Sequence, residues 1–339
     1  MSKIVYLFGA GASAGSLPVV NNMNERIGSL VHRLSEEDLI LSDDQTFTGI
    51  EVGSFQSKRE HQLTIIEGLK ELESACNKHY SIDTYAKKLW IRNDLNGLKK
   101  LKALLSLFFT IEQIRNPPDP RYDFFLASLL KSLNGFPDNI RILSWNYDSQ
   151  FEYAYSEFSN NTDVANIKKE LNIYEKNMPI TNYKENDFCI FKLNGSTDFC
   201  IKANPEPVPF YFSSKTDNKF DKNTVAYITR AYVSGLYSSA IDSLFSFAWE
   251  EPNSEFIQGI IHHTFNAEVL VVIGYSFPYF NRTIDRMIIQ RMKNLEKVYI
   301  QSPDAHDIIE RFHSITNDIN PKNVIPKLHK DYFYLPNEL

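Results

Sequence analysis

Residues 4–13 read IVYLFGAGAS, an apolar run that stops at a glycine-rich turn. An uninterrupted apolar run of this length, bounded by glycine, is typical of a strand that is buried on both faces of a parallel sheet. Glycine in the turn lets the backbone approach a neighbouring group closely, because no side chain stands in the way. The stretch therefore predicts a central strand that leads directly into a tight turn.

Four further apolar runs end in the same manner, each at polar or glycine residues. They are residues 140–145 before Asn146, 188–193 before Asn194, 269–273 before Gly274, and 297–300 before Gln301. Helical patterns separate most of these runs, and strands that alternate with helices form parallel, doubly wound α/β sheets. Because such sheets bind ligands beyond the carboxyl ends of their strands, we expect the turns to form one site.

Long helical patterns lie between the first two runs and again between the third and fourth. Apolar residues recur there at steps of three and four, as at Leu101, Leu104, Leu105, Phe108 and Ile111. That spacing predicts helices with one buried face. We predict a single domain over residues 1–339, with a helical insertion at about 55–135 and a second helical stretch at about 221–266. Ser302 and Pro303 predict the start of the last helix, since serine caps helices and proline suits their first turn.

Composition limits the class of protein. Hydrophobic residues make up 43% of the 339 residues and charged residues 23%, as in ordinary globular proteins. The net charge of −6 argues against a direct nucleic-acid partner. No apolar stretch approaches the ~20 residues that span a bilayer, and the first apolar run is shorter than the ~7–15 residues of a secretion signal. The three cysteines form no CxxC pair, which predicts a cytoplasmic protein without a metal site.

The turn at Gly9 and Gly11 suits a pyrophosphate, because backbone amides and a following helix N-terminus favour anions. A tight turn without any ligand is the simpler interpretation of the same residues. No Lys-Ser or Lys-Thr pair follows the glycines, which excludes a P-loop. A dehydrogenase needs a second strand that ends in an acidic residue about 20 residues on. Acidic residues stand at 36–38, but no convincing strand precedes them, so a dehydrogenase is disfavoured.

Taken together, these segments resemble motifs of the SIR2-like family, the sirtuins and their bacterial relatives. The similar segments are GAGAS at 9–13 with GSLP at 15–18, SIDT at 81–84, SWNYD at 144–148, KLNGS at 192–196 and GYSFP at 274–278. They occur in the family's order and extend over most of the chain. The resemblance implies a Rossmann-like sheet and NAD as the substrate.

Two departures from the family pattern bear on the activity. The chain lacks the four-cysteine zinc ribbon of sirtuin deacylases, so protein deacylation is not expected. Asn194 stands where the family usually has a catalytic histidine, and asparagine cannot act as a general base near neutral pH. His262 and His263 precede the fourth apolar run, at the opposite edge of the sheet from the turns. The identity of any general base therefore stays open.

The resemblance implies roles for individual residues. Asn146 corresponds to the asparagine beside the nicotinamide ribose, Asp148 to the aspartate that holds the nicotinamide end, and Asn194 to a residue that positions ribose or water. Together they are the candidate catalytic residues. The candidate NAD-binding residues lie in the same turns: Gly9, Ala10, Gly11, Ala12, Ser13, Tyr147, Gly195, Gly274, Tyr275, Ser276 and Gln301. Two simpler interpretations stay open, namely Asp148 as a helix cap and Asn194 as an ordinary turn residue.

The function that follows from the resemblance is NAD glycohydrolysis, with nicotinamide and ADP-ribose as products. Bacterial proteins of this kind are anti-phage effectors that deplete NAD in infected cells. A free NADase would poison its own cell, which implies control by a companion sensor or ATPase protein, by homo-oligomerisation, or by both. The alternative is a catalytically silent regulatory subunit that binds NAD or ADP-ribose, and Asn194 favours it.

Overall fold

The computed structural model describes residues 3–47, 56–133, 135–178, 187–203, 207–210, 219–251, 254–316 and 318–339. The chain divides into two compact units. The first, here called the sheet unit, comprises Met1–Gly15, Pro118–Ser196 and Ser246–Leu339. The second, the helical unit, comprises Ser16–Pro117 and Thr197–Phe245. The single domain over residues 1–339 stays a prediction.

The described strands are, in chain order, β1 (Ile4–Phe8), β2 (Ile140–Ser144), β3 (Ile173–Glu175), β4 (Cys189–Lys192), β5 (Phe199–Ile201), β6 (Val208–Phe210), β7 (Ile241–Ser243), β8 (Val269–Ile273), β9 (Lys297–Gln301) and β10 (Val324–Lys327). The described α-helices are α1 (Met23–Leu34), α2 (Lys58–Lys78), α3 (Ile82–Ile91), α4 (Leu95–Arg115), α5 (Pro120–Leu129), α6 (Gln150–Ser159), α7 (Val164–Glu170), α8 (Lys222–Tyr237), α9 (Ser254–Thr264), α10 (Arg282–Ile289) and α11 (Ala305–His313).

The sheet unit is built on a seven-stranded sheet in the order β10-β9-β8-β1-β2-β4-β3, and every described strand pair in it is parallel. Side chains of a strand alternate between its two faces. In β1, Ile4, Tyr6 and Phe8 pack in one core with residues of α5 and α6. Val5 and Leu7 pack in the other core, with residues of α9, α10 and α11. Helices therefore cover both faces, which confirms the predicted doubly wound, Rossmann-like α/β class.

The order of the strands reverses direction at the centre of this sheet. β1 lies between β8 and β2. The chain passes from β1 to β2 on one side, whereas β8 leads to β9 and β10 on the other. In doubly wound sheets this reversal opens a crevice outside the carboxyl ends of the central strands. The five turns predicted to form a site all follow strands of this sheet.

The helical unit contains α1 to α4, α8 and a three-stranded antiparallel sheet in the order β6-β5-β7. Within it α2 packs against α1, α4 and α8. α4 and α5 are separated at the proline-rich stretch, where Asp119 caps α5 and Pro120 occupies its first turn. The second helical stretch, expected at about 221–266, is not continuous: α8 and α9 lie within it, but β7 stands between them.

Three further local predictions were incomplete or wrong. The strand prediction missed β3 and β10, which are short edge strands of the sheet and lack a long apolar run. β10 even contains Pro326, which an edge strand accepts because one side of the ladder is unpaired. The last helix begins at Ala305 and not at Ser302, because the Ser302 backbone N–H still donates to the carbonyl of Lys327, the last residue of β10 (3.1 Å). The glycine turn leads into a 3₁₀ turn, Ala10–Ser13, and not into an α-helix.

Candidate functional site

The turns after β1, β2, β4, β8 and β9 lie side by side along the carboxyl edge of the sheet. Backbone hydrogen bonds join four of these turns to a neighbouring strand: Gly9 N to Ile273 O (3.0 Å), Gly274 N to Gln301 O (2.9 Å), Trp145 N to Phe8 O (2.9 Å) and Leu193 N to Ser144 O (2.8 Å). The parallel register places the turns at the same height. The predicted site residues, which are scattered over the sequence, therefore share one edge.

The turns after β1 and β8 pack backbone against backbone. The Gly11 N–H donates to the Gly274 carbonyl at 2.9 Å, and Gly274 has a φ of +58°. A side chain at Gly11 would place its Cβ 2.7 Å from the Gly274 Cα. Glycine at both positions is thus required by the contact between turns, whether or not a phosphate binds. A Gly11→Val variant therefore tests this packing and not, as the sequence pattern suggests, the space for a ligand.

Arg121 and Asp119 clamp the glycine turn, and sequence reasoning missed both. Arg121 Nη2 donates to the carbonyls of Gly11 (3.0 Å) and Ala12 (3.1 Å) and to Asp119 Oδ2 (2.6 Å). The same Asp119 oxygen accepts a bond from the Gly15 N–H at 2.8 Å. These contacts hold Gly11, Ala12 and Gly15 against the start of α5. The only sequence signal for Asp119 is its position before Pro120, which predicts a helix cap and no more.

The Asn146 side chain faces the glycine turn. Its Nδ2 donates to the Gly9 carbonyl at 3.0 Å and to Ser13 Oγ at 3.3 Å, and the residue is 7% exposed. We expected this amide to point toward a ligand ribose. In the structure its nitrogen instead joins the turn after β2 to the turn after β1. A catalytic role for Asn146 stays a prediction. Because Nδ2 is engaged by the glycine turn, the amide oxygen is the atom that would carry this role.

Asp148 lies in a buried polar cluster next to Asn146. Burial raises the pKa of Asp148 to about 6, whereas the positive charge of Lys192 and hydrogen bonds from Gln150 and Ser13 oppose the shift. Its Oδ1 accepts the Gln150 N–H at 3.1 Å, so the carboxylate also serves the start of α6. The Ser13 hydroxyl is shared with Tyr122 OH at 3.0 Å. A carboxyl group with such a pKa is largely ionised at neutral pH and protonated in mild acid.

Lys192 and Glu152 form a buried ion pair beneath Asp148, with side chains 3% and 1% exposed. Lys192 Nζ also donates to the Asp148 carbonyl at 2.6 Å. A buried ammonium group is costly unless it is paired, and here a carboxylate from α6 and a main-chain carbonyl share that task. The pair fixes the turn after β2 against the end of β4. Lys192 belongs to the KLNGS segment, but its ion-pair partner could not be read from the sequence.

The side-chain amide of Asn194 uses its nitrogen in a hydrogen bond, whereas its oxygen has no partner among the described residues. Its Nδ2 donates to the Trp145 carbonyl at 2.9 Å. Its Oδ1 is buried and has no hydrogen-bond partner within the described part of the chain. The next residue, Gly195, has a φ of +69°, a conformation that glycine adopts without strain. The amide is thus oriented, and it presents an acceptor at the carboxyl edge of the sheet.

Trp145 and Tyr275 are tied together by a buried carboxylate on α10. Asp285 accepts hydrogen bonds from Trp145 Nε1 (3.0 Å) and from Tyr275 OH (2.7 Å). The two rings stack at 6.1 Å between centroids. Burial raises the pKa of Asp285 to about 7, although both hydrogen bonds favour the ionised form. This network sets the distance between the turns after β2 and β8.

A cleft of about 510 Å³ opens at the strand reversal, outside the ends of β1, β8 and β9. Five of the predicted residues line it: Gly11, Gly274, Tyr275, Ser276 and Gln301. The remainder of its wall includes Arg121, Arg311, His329 and Lys330, which sequence reasoning did not select. The Gln301 side chain is engaged in hydrogen bonds within the protein, since its Nε2 donates to the carbonyls of His329 (2.9 Å) and Tyr332 (2.7 Å).

The other predicted residues lie outside the lining of this cleft. Asn146, Asp148 and Asn194 follow β2 and β4, further along the same edge, together with half-buried Tyr147 and buried Gly195. In the turn after β1, Gly9, Ala12 and Ser13 are buried, whereas Ala10 is exposed. The structure thus brings the predicted residues to one edge but divides them between the cleft and the neighbouring turns. Their roles in catalysis and binding stay predictions.

Neither a metal cluster nor a membrane span is found in the described ranges. No three His, Cys, Asp or Glu side chains there are grouped so that they could hold a metal ion. His263 Nδ1 lies 2.9 Å from the Gly259 carbonyl inside α9, at the edge opposite the turns. Of the helices described, none combines the length and the apolar character needed to cross a bilayer.

The sheet order and its glycine turns define a Rossmann-like α/β protein. No protein-family model matches the chain, and the search of curated proteins gave no match. Among solved structures it is similar to a SIR2 homologue in complex with NAD, with 13% identity and a TM-score of 0.43 over 97% of this chain and 85% of the other. It is also similar to mutant Sir2 homologues in complex with 2′-O-acetyl ADP ribose, with 14% identity and a TM-score of 0.39 over 97% of this chain and 88% of the other. With identities and TM-scores this low, the class rests on the sheet and its turns.

Proposed function

We propose that the chain binds NAD⁺ at the carboxyl edge of its sheet and hydrolyses it to nicotinamide and ADP-ribose. The observation that supports this most is the position of the cleft, outside the ends of β1 and β8 where the strand order reverses. Ligands of doubly wound sheets bind at that point. The volume of about 510 Å³ lies in the range of about 300–1,000 Å³ that small-molecule sites occupy. The resemblance of the turns to SIR2-like motifs supports NAD as the ligand.

In this proposal the cleft takes the adenosine diphosphate part of NAD⁺. The nicotinamide end extends along the sheet edge toward the turns after β2 and β4. The nicotinamide group leaves from a cationic pyridinium, so no proton has to be supplied to it. The residues at that end need to orient the ribose, favour a developing positive charge and admit water. The ionised Asp148 carboxylate supplies negative charge, and the unpartnered Asn194 Oδ1 supplies an acceptor for a ribose hydroxyl or a water molecule.

We further propose that the activity serves anti-phage defence and is held in check by a companion protein or by self-association. The support for this is the resemblance to zinc-ribbon-less bacterial members of the SIR2-like family. An NADase without such control would deplete the NAD of its own cell. Activity is therefore expected to depend on a partner or on assembly.

A catalytically silent NAD- or ADP-ribose-binding subunit is the second candidate. Two observations favour it: Asn194 stands where the family usually has histidine, and Asn146 Nδ2 is engaged by the glycine turn. Neither amide can act as a general base. Simple hydrolysis needs such a base less than acyl transfer does, which is why hydrolysis remains our first proposal.

The test is to incubate the purified protein with NAD⁺, alone and with the proteins encoded by neighbouring genes. Free nicotinamide and ADP-ribose are quantified, NAD⁺ binding is measured on the same samples, and an acetyl-lysine peptide is included. We expect equimolar nicotinamide and ADP-ribose with an intact peptide. NAD⁺ binding without cleavage in every condition would favour the silent subunit. Absence of binding in every condition would refute both candidates.

A further inference from the structure

The C-terminal segment, residues 328–334, forms one wall of the cleft, which no sequence motif indicated. Gln301 at the end of β9 holds the segment by three hydrogen bonds, since its Nε2 donates to two carbonyls and its Oε1 accepts the Tyr334 N–H at 2.8 Å. Phe333 is fully buried, with its ring centroid 5.3 Å from that of Phe8 and 5.0 Å from that of Tyr122. The segment is thus anchored against β1 and α5, and two of its residues, His329 and Lys330, line the cleft.

The charge of the cleft lining differs in sign from that of the whole chain. The chain carries a net charge of −6, whereas the described lining contains Arg121, Arg311 and Lys330 against a single acidic residue, Asp304. Arg121 is paired with Asp119, so its charge is largely compensated. Arg311 and Lys330 have no acidic partner within hydrogen-bond distance among the described residues; Arg311 Nη1 donates to the Ser276 carbonyl at 3.0 Å. Uncompensated cations in a concave site attract anionic ligands.

A buried polar atom without a partner also favours an anionic ligand. His329 Nε2 is buried and has no hydrogen-bond partner within the described ranges, although the residue lines the cleft. Leaving a buried polar atom unpaired costs free energy, and a rotation of the imidazole toward the cleft would let a ligand oxygen remove that cost. The cleft thus offers two cationic side chains and an imidazole nitrogen, and proteins bind phosphate oxygens with groups of these kinds.

We propose that Lys330, Arg311 and His329 form a phosphate subsite of the cleft, supplied by the C-terminal segment and the last turn of α11. This inference rests on the proposed function, because it takes the ligand to be a nucleotide. Two sources of the phosphate share the same chemistry. One is the pyrophosphate of NAD⁺, and the other is an additional phosphate on the adenosine ribose, as in NADP⁺.

The test compares the Lys330→Glu variant of the protein with the Lys322→Glu variant. Both lysines are exposed and lie in the sheet unit, but Lys322 does not line the cleft, so the change in net charge is matched. Binding of NAD⁺, NADP⁺ and inorganic pyrophosphate is measured by calorimetry at low and at moderate salt. We expect Lys330→Glu to weaken binding about tenfold or more, Lys322→Glu to leave it within about twofold, and added salt to reduce the difference. Arg311→Gln should also weaken binding.

The ligand series identifies the source of the phosphate. If the wild-type chain binds NADP⁺ more tightly than NAD⁺ and Lys330→Glu abolishes that preference, the subsite takes the ribose phosphate. If both dinucleotides and pyrophosphate weaken alike, it takes the pyrophosphate. Nucleotide binding that is equal in wild type, Lys330→Glu and Arg311→Gln would overturn the subsite and leave the proposed function standing. Binding that depends on Lys330, without any release of nicotinamide, would support the subsite and count against hydrolysis. A wild-type chain that binds none of the three ligands would refute both.

Discussion

Replacing Asp285 by asparagine tests how the candidate site is held together. The buried carboxylate, 2% exposed, accepts hydrogen bonds from Trp145 Nε1 and Tyr275 OH and so joins the turns after β2 and β8. Asparagine has the same shape. Its Oδ1 can accept from Trp145, and its Nδ2 can donate to the Tyr275 oxygen. The variant thus removes the charge while it keeps two hydrogen bonds.

The magnitude follows from the pKa. Burial raises the pKa of Asp285 from 3.8 to about 7, so the folded chain binds this proton more tightly than the unfolded chain does. The free energy of unfolding therefore decreases as the pH rises from near 4 to about 7, and Asp285 adds no further slope above that. At about 1.36 kcal/mol per pK unit, ionisation of Asp285 costs about 4 kcal/mol over the whole range, and roughly 3 kcal/mol of it between about pH 5 and about pH 8.

The assay is urea unfolding of wild type, Asp285→Asn and the exposed control Asp318→Asn at about pH 5 and about pH 8. All other ionisable groups are common to the proteins, so the difference between variant and wild type isolates residue 285. We expect the free energy of unfolding of Asp285→Asn, relative to wild type, to rise by roughly 3 kcal/mol from the lower to the higher pH. The control should show no such change. A rise below about 1 kcal/mol would show that the carboxylate is not desolvated as the structure indicates.

Three further predictions concern the turns. Asn146→Ala should lower NAD⁺ turnover by about 10²-fold and also weaken NAD⁺ binding, because Nδ2 supports the glycine turn. If Asn146→Ala and the control Asn323→Ala turn over NAD⁺ equally in the activated state, Asn146 is not part of the site. Gly11→Ala should destabilise the fold by about 2 kcal/mol, because its Cβ would meet the Gly274 backbone, and an unchanged melting temperature would contradict that contact. NAD⁺ cleavage should fall as the pH drops through about 6, where Asp148 gains its proton, and Asp148→Asn should abolish this inflection; a flat wild-type pH–rate profile would argue against a role for the carboxylate.

The main sheet could be predicted from the sequence because its strands are encoded locally. Each central strand is an apolar run that ends at a turn residue, and the observed bounds of β1 and β8 match the runs at 4–8 and 269–273. The edge strands β3 and β10 could not be found in this way. They are only half buried and short, so their residues carry no continuous apolar pattern.

The candidate site was predictable only in part. The turns were located, since parallel strands bring their carboxyl ends to one edge. The orientation of their side chains was not. Asn146 Nδ2 is directed at Gly9, 137 residues away in sequence, and nothing in the local sequence around either residue indicates this contact. The division of the predicted residues between the cleft and the neighbouring turns was equally invisible.

The sequence by itself determined the class of fold and the edge of the sheet at which the glycine and polar turns lie, because apolar periodicity and glycine turns act over a few residues. The tertiary structure alone decided which polar groups meet there. Arg121 reaches the Gly11 carbonyl across 110 residues, and Trp145 reaches Asp285 across 140. The C-terminal segment forms one wall of the cleft because Gln301 binds its backbone. Such contacts depend on how separate elements pack. The partner of a charged or amide side chain therefore cannot be identified from the residues next to it in sequence.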